Sequence, residues 1–319
     1  MSKSQTPMFE WQIKDRRKET PDSYTYVFSP FSASDRFTFN IGEFVTIRAL
    51  LKRPTSSGGV EEIEVERAYS LASSPTRNDI ELTIKDEKPY GYINPAVGKA
   101  DGFAAYFFDQ FKMGDKVSVK YTKAREPFLA KIANGAEKDI AYWSGSNGAE
   151  CARCLIQYME DRSELDLRLI LFYSNPRLYS LENQKSVDVI YYSWLLDMAR
   201  KLDNFKAVFT FTRDNETTLY SDHPRISYRK GRFFKDERGK AERTLQKFHG
   251  NGDSAFNPIC GSSGFINGIV KLKTGSIVRG RGIMQELMDI EGVKPEKIDK
   301  EQFYLDETVP CQFYLDVSK

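Results

Sequence analysis

The chain contains the stretch Ile63-Glu64-Val65-Glu66-Arg67-Ala68-Tyr69-Ser70, in which apolar and charged residues alternate. A period of two predicts a β-strand, so Arg67 and Tyr69 project from the same face. A guanidinium suits a bidentate phosphate contact, and an aromatic ring can lie against a flat heterocycle. Ser70 adds a hydroxyl that can donate or accept. This combination is what a flavin nucleotide needs, although a tetrapeptide alone also fits an ordinary strand with a surface charge.

The first third of the chain alternates in the same way and predicts a small antiparallel β-barrel. Its remaining predicted strands are Tyr24–Phe28, Phe44–Arg48, Ile80–Lys85 and Lys116–Lys120. The Gly- and Ser-containing loop Pro54–Gly59 predicts a flexible connection between two of these strands.

After about residue 135, buried apolar strands alternate with helices, which predicts a parallel sheet with ligands at the carboxyl ends of its strands. The predicted strands are Ile140–Trp143, Leu167–Tyr173 and Ala207–Phe211, with helices near 149–161 and 188–203. From Asp214 to about His249 the chain is polar, and we expect an extended loop region there. A helix-like run begins at Cys260 and ends near Gly275.

A length of 319 residues exceeds what one hydrophobic core usually supports. We therefore predict two domains: an antiparallel β-barrel flavin domain at 1–132 and an α/β Rossmann-like parallel-sheet nucleotide domain at 133–306. Residues 307–319 would form a C-terminal tail.

The composition excludes several classes of protein. Hydrophobic residues make up 40% and charged residues 29%, as in soluble globular proteins, and no apolar run reaches the ~20 residues of a membrane span. The start of the chain has no signal-peptide pattern, so we expect a cytoplasmic protein without membrane insertion. A net charge of +2 implies no nucleic-acid partner. Four cysteines fit neither a disulfide framework nor the Cys-x4-Cys-x2-Cys pattern of a plant-type iron–sulfur centre.

Two downstream sites follow the first in a characteristic order: Cys260-Gly261-Ser262-Ser263-Gly264-Phe265 and then Glu301-Gln302-Phe303. This order resembles the ferredoxin-NADP reductase superfamily of FAD-binding oxidoreductases, over nearly the whole chain. The resemblance implies three catalytic residues, Ser70, Cys260 and Glu301. The Cys260 thiol would lie beside the nicotinamide, and the Glu301 carboxylate would stabilise positive charge there or carry a proton.

The resemblance also implies a flavin site on the barrel. Gly102 would begin a helix whose free backbone N–H groups bind the flavin diphosphate. Ala105 stands where the family usually has Ser or Thr, which makes FAD less certain but still preferred over FMN. The implied flavin-binding residues are Arg67, Tyr69, Ser70, Ser73, Ile84, Lys85, Gly102, Phe103, Ala104, Ala105 and Phe303.

The second implied site binds the nicotinamide nucleotide. The turn after the strand Ile140–Trp143 resembles the family's glycine turn, at which a pyrophosphate can approach the backbone. Thr212 and Arg213 stand where NADP-dependent members bind the 2′-phosphate, which favours NADPH over NADH, although Asp214 weakens the argument. Arg232 is either a further phosphate ligand or a surface arginine. The implied residues are Gly145, Ser146, Asn147, Thr212, Arg213, Arg232, Cys260 and Gly261.

The resemblance implies a ferredoxin- or flavodoxin-NAD(P)+ reductase-like enzyme, in which hydride passes between NAD(P)H and bound FAD. Electrons would then pass singly to a small acidic carrier such as ferredoxin or flavodoxin, which basic surface patches would attract. The alternatives are the reductase component of an oxygenase, a free flavin reductase, and a flavin-binding electron-transfer subunit without its own NAD(P)H site.

Cys151 and Cys154 form a Cys-x-x-Cys pattern at a predicted helix start, where a thiol pKa is lowered. The chain lacks the short single-domain context of a thioredoxin-like fold, so structural packing is the favoured interpretation. Redox sensing and metal binding stay open as alternatives, but two histidines in the whole chain offer few further ligands, and no metal is expected.

Overall fold

The computed structural model describes residues 7–55, 57–85, 93–94, 99–100, 107, 110–121, 123, 128–179, 186–214, 221, 223–236, 238–250, 254–271 and 277–302. Among the helices in these ranges, none has the length and apolar character that crossing a bilayer requires.

The N-terminal part of the chain forms a six-stranded antiparallel half-barrel with the order β4-β3-β8-β1-β2-β5. Its alternating strands turn one row of side chains inward, so that Trp11, Tyr26, Phe28 and Ile47 are almost completely buried. The predicted antiparallel sheet is therefore confirmed. Its strands are β1 (Met8–Thr20), β2 (Ser23–Pro30), β3 (Phe44–Pro54), β4 (Val60–Ser70), β5 (Ile80–Lys85) and β8 (Lys116–Lys120).

The C-terminal part forms a six-stranded parallel sheet with the order β12-β11-β10-β9-β13-β16. The chain builds outward from β9 to β12 and then returns to the other side of β9 with β13. The predicted parallel sheet is confirmed, and β9 and β13 flank the switch point at which such folds bind ligands. The strands are β9 (Asp139–Gly145), β10 (Arg168–Asn175), β11 (Phe205–Phe211), β12 (Ile226–Lys230), β13 (Asn257–Gly261) and β16 (Ile298–Gln302).

Helices connect these strands, a π-helix spans Leu287–Glu291, short 3₁₀ helices lie between the elements, and two ribbons are also present. The helices are α1 (Ala130–Ala133), α2 (Ala149–Asp161), α3 (Tyr192–Lys201), α4 (Thr244–His249), α5 (Ser263–Asn267) and α6 (Ile283–Glu286). The two-stranded ribbons pair β6 (Ile93–Asn94) with β7 (Lys99–Ala100), and β14 (Ile269–Lys271) with β15 (Ile277–Arg279).

Two predictions about the C-terminal part were wrong. The segment from Asp214 to His249 is not an extended loop throughout, because it contains β12 and α4. β12 lies at the sheet edge, where polar side chains are tolerated, and this explains its weak apolar signal. The run after Cys260 is not one helix to Gly275, since α5 ends at Asn267 and β14 follows. Gly268 has φ +70° and ends the helix in the left-handed conformation.

An ionic triad centred on the buried Glu81–Arg153 pair joins the antiparallel sheet to α2. Glu81 on β5 accepts from Arg153 on α2 at 2.8 Å and pairs with Arg17 on β1 at 2.8 Å. The Arg153 guanidinium also lies 4.7 Å from the ring centroid of Tyr191 and 4.4 Å from that of Trp194. These contacts hold α2, and with it the first turn of the helix, in a fixed position against the antiparallel sheet.

Candidate active site

The Glu301 carboxylate lies at the centre of a cluster that joins both sheets. Glu301 Oε1 accepts from Ser70 Oγ at 3.2 Å, and Glu301 Oε2 accepts from Cys260 Sγ at 3.5 Å. Cys151 Sγ donates to the same Oε2 at 2.8 Å. The structure therefore brings together the three residues that the sequence singled out, and it adds Cys151.

Strand pairing explains how Cys260 and Glu301 meet. β13 and β16 are parallel neighbours, and Cys260 stands directly opposite Glu301 in their register. Ser70 is the last residue of β4 and is buried, and its hydroxyl lies at the carboxyl ends of the parallel strands β13 and β16. The cluster thus lies where this fold class places its ligands.

Gly148 explains how Cys151 reaches the cluster. A Cβ at Gly148 would lie 2.1 Å from the carbonyl oxygen of Cys260, which no side chain could tolerate. The missing side chain lets the turn between β9 and α2 pack directly on the end of β13. As a result Cys151, in the first turn of α2, lies beside Cys260 rather than pairing with Cys154. Structural packing was the favoured interpretation of the Cys-x-x-Cys pattern, and both of its thiols are buried; the contact of Cys151 with Cys260 follows from the adjacency of β9 and β13.

Burial sets the protonation of this cluster. It raises the pKa of Glu301, although the donors Cys151, Cys260 and Ser70 partly oppose the rise. Burial also raises the pKa of the Cys260 thiol to about 11, while the hydrogen bond with Cys260 and burial raise that of Cys151. Both thiols are therefore protonated near neutral pH and act as hydrogen-bond donors to the carboxylate.

Glu150, in the first turn of α2, is a second buried carboxyl. It is only 3% exposed, and burial followed by the nearby charge of Glu301 raises its pKa well above the usual range. A neutral Glu150 would not repel a phosphate in the way that a carboxylate would.

The half-buried face of β4 carries Arg67 and Tyr69, as the alternation predicted. The Arg67 guanidinium donates to the backbone carbonyl oxygen of Glu66 at 2.9 Å, and it forms no ion pair with a described residue. Tyr69 packs against the barrel core. A half-buried guanidinium without a carboxylate partner in the described part of the chain fits an anionic, planar cofactor.

Three other predicted flavin ligands have partners within the fold. Ser73 Oγ accepts from the backbone N–H of Glu81 at 3.0 Å, and Ile84 is fully buried in the barrel core. Lys85 Nζ pairs with Asp22 at 3.3 Å. Gly102, Phe103, Ala104, Ala105 and Phe303 lie outside the described residues.

The predicted glycine turn lies at the carboxyl end of β9. A Cβ at Gly145 or at Gly261 would stand 2.8 Å from a ring carbon of Phe265, so that ring lies against both glycines. Ser146 has φ +52°, and its carbonyl oxygen accepts from the Tyr173 hydroxyl at 3.0 Å. Asn147 follows in the same turn and accepts a long hydrogen bond, 3.4 Å, from Ser146 Oγ.

The predicted 2′-phosphate residues lie farther along the same edge. Thr212 and Arg213 follow β11 and donate backbone N–H groups to the carbonyl oxygens of Asn175 and Pro176 at 3.0 and 2.8 Å. Arg232 follows β12, the parallel neighbour of β11, and both arginine side chains are exposed. The structure thus places two exposed guanidinium groups at the carboxyl ends of adjacent strands.

Solved structures share this architecture. The flavohem-like FAD/NAD-binding domain of nitric oxide dioxygenase from Vibrio cholerae is 12% identical, with a TM-score of 0.60 over 92% of this chain and 98% of that chain. The cytochrome b5 reductase domain of Ulva prolifera nitrate reductase is 16% identical, with a TM-score of 0.58 over 92% and 97%. A ferredoxin NADP+ reductase from Neisseria gonorrhoeae with bound FAD and NADP is 18% identical, with a TM-score of 0.55 over 94% and 100%.

No protein-family model matches the sequence, and no curated protein matches it either. The likeness is one of structure: the chain has the two-domain fold of the ferredoxin-NADP reductase-like proteins.

Proposed function

We propose that this protein is an NAD(P)H-dependent flavoprotein oxidoreductase that binds FAD on the antiparallel sheet and NADPH at the carboxyl edge of the parallel sheet. One observation carries the proposal: Ser70, Cys260 and Glu301, far apart in sequence, meet at the junction of the two sheets. Bound FAD would accept hydride from the nicotinamide and release electrons one at a time, which is chemistry that side chains lack.

The β4 side chains bind and orient the flavin in this proposal. Arg67 supplies a fixed cation for a phosphate, and Tyr69 supplies a ring on the same half-buried face. The Ser70 hydroxyl donates a hydrogen bond to Glu301, which leaves the Ser70 oxygen free to accept a hydrogen bond from the flavin ring system. These side chains thus position the flavin and place polar groups beside its reacting atoms.

Glu301 controls charge and protons at the same place. Its raised pKa brings protonation closer to neutral pH, so the carboxyl can hold a proton at Oε1 and pass it through Ser70. In its ionised form it would stabilise the positive charge of an oxidised nicotinamide. Gly261 keeps the adjoining backbone free of a side chain, and Cys260 limits access with a small, neutral group.

Arg213 and Arg232 support NADPH as the preferred nucleotide. Two exposed guanidinium groups at adjacent strand ends can both contact a 2′-phosphate, a group that NADH lacks. Exposed basic groups also support an acidic one-electron carrier, ferredoxin or flavodoxin, as the acceptor. The solved structures named above are named after different reactions, so the acceptor has to be found by titration of candidate carriers.

The visible spectrum of the purified protein tests the first half of the proposal. We expect a yellow protein, and mass analysis of the released cofactor should identify FAD. A well-folded protein that is colourless and takes up no added flavin would contradict the proposal.

Anaerobic stopped-flow mixing with NADPH and NADH tests the second half. We expect rapid bleaching of the flavin by NADPH and slower bleaching by NADH. Flavin that stays oxidised with both nucleotides would favour a flavin-binding electron-transfer subunit without its own NAD(P)H site. Reduction of free flavin, with no transfer to any carrier, would favour a flavin reductase.

A further inference from the structure

Two thiols and one carboxylate converge in the cluster at the junction of the two sheets. The sulfur atoms of Cys151 and Cys260 and a carboxylate oxygen of Glu301 all lie within 4.8 Å of one another. Both cysteines are fully buried, and Glu301 is partly buried. Three side chains from α2, β13 and β16 therefore present metal-binding atoms to a single point.

The donor set selects the class of ion. Thiolates are soft ligands that favour Zn²⁺ or Cd²⁺ over Mg²⁺ and Ca²⁺, and a carboxylate is an accepted third ligand for zinc. In a tetrahedral zinc site, ligand atoms lie about 3.4 to 3.8 Å apart, given Zn–S and Zn–O bonds of about 2.3 and 2.0 Å. Glu301 Oε2 lies 2.8 Å from Cys151 Sγ and 3.5 Å from Cys260 Sγ. Small side-chain rotations would complete the geometry.

The negative charge of the Glu301 carboxylate also favours a bound cation. In the described part of the chain no lysine, arginine or histidine pairs with Glu301, whose hydrogen-bond donors are the neutral groups of Ser70, Cys151 and Cys260. A divalent ion would supply the missing positive charge. It would replace the two thiol protons, which are released to solvent as the thiolates form Zn–S bonds.

We propose that Cys151, Cys260 and Glu301 form a three-ligand site for a soft divalent cation, and that Zn²⁺ is the ion it binds. The fourth position is left for water or for the Ser70 hydroxyl. Because two of the ligands, Cys260 and Glu301, belong to the proposed catalytic group, an occupied site would block the reductase reaction. This regulatory consequence rests on the proposed function, whereas the metal site itself does not.

Equilibrium dialysis of the reduced, tag-free protein against Zn²⁺, with the bound metal counted by mass spectrometry, tests the site. The test variant is Cys151→Ser, and the matched control is Cys154→Ser, which removes an equally buried thiol from the same helix. We expect one Zn²⁺ per chain in the unaltered protein and in the control, and an affinity at least roughly 100-fold lower in Cys151→Ser. Equal binding by both variants, or no binding by the unaltered protein, would overturn the site.

X-ray absorption at the zinc edge tests the ligands without any substitution, and so does not depend on how a variant folds. We expect two sulfur neighbours at about 2.3 Å and oxygen neighbours at about 2.0 Å. A shell of oxygen and nitrogen alone would overturn the assignment.

The activity measurement separates the two proposals. One equivalent of Zn²⁺ should abolish flavin reduction by NADPH, and a chelator should restore it. Zinc that binds with two sulfur neighbours and leaves flavin reduction intact would overturn the regulatory consequence. A protein that binds zinc in this way but never reduces a flavin would confirm the metal site and contradict the proposed function.

Discussion

Replacing Glu81 by Gln should weaken the attachment of α2 to the antiparallel sheet. The Arg153 and Glu81 side chains are only 6% and 10% exposed, and removal of one partner from a buried pair costs about 3 to 5 kcal/mol. Arg17 is 40% exposed, so its pair with Glu81 contributes no more than about 1 kcal/mol. We expect Glu81→Gln to lower the free energy of unfolding by about 3 kcal/mol, and Arg153→Met to lower it by a similar amount.

The pKa of Glu81 gives the expected pH dependence. Burial by itself would raise this pKa, but Arg153 and Arg17 outweigh it and lower the value. A lowered folded-state pKa contributes stability above the unfolded value of about 4.3, and that stability is lost as the pH falls through the folded value. The difference between the unaltered protein and Glu81→Gln should therefore be largest near neutral pH and shrink in acid.

Urea unfolding followed by tryptophan fluorescence measures the effect, because Trp194 lies against Arg153. Arg200→Met is the matched control, since Arg200 pairs with Asp197 at 3.4 Å and both side chains are more than half exposed. We expect this control to lose less than about 0.5 kcal/mol. If Glu81→Gln and Arg153→Met lower the free energy of unfolding no more than the control does, the triad does not hold α2 in place. The same conclusion would follow if the two losses of unfolding free energy simply add in the double variant.

Three further predictions concern the proposed reaction. Tyr69→Ala should weaken flavin retention, and unchanged flavin content after gel filtration would count against the role of this ring. Arg213→Ala should raise KM for NADPH by about 10-fold, as expected for a lost charge-assisted contact, and leave KM for NADH unchanged; steady-state kinetics with both nucleotides decides. Glu301→Gln should slow flavin reduction by about 100-fold or more, because the variant cannot carry a proton, and the rate of reduction should depend less on pH. Stopped-flow rates that match those of the unaltered protein would show that Glu301 takes no part in the reaction.

Much of the fold could be predicted from periodicity. The alternation at Ile80–Lys85 and at Lys116–Lys120 predicted both strands to the residue, and the apolar pattern after Gly148 predicted the full extent of α2. These elements follow local rules, because each buries one regular face. β12 was missed since an edge strand buries little, and its short alternation lies in a charged segment.

The candidate site was predicted in part. The order of the motifs identified Ser70, Cys260 and Glu301, and the structure brings them together. The partner of Cys151 could not be predicted, because it depends on β13 being inserted next to β9, a neighbour relation that no local pattern encodes. The same holds for Arg17, Glu81 and Arg153, which three separate elements bring together.

The position of β16 in the chain has a consequence for biosynthesis. β16 is the last strand of the described sheet, and it adds Glu301 to a crevice whose other walls are already present in the preceding strands and helix. Domains fold as they emerge from the ribosome, N-terminal first. A nascent polypeptide should therefore hold its two neighbouring sulfhydryl groups without their carboxylate until β16 has been synthesised, so a product terminated before β16 would lack the complete cluster even if the preceding strands fold.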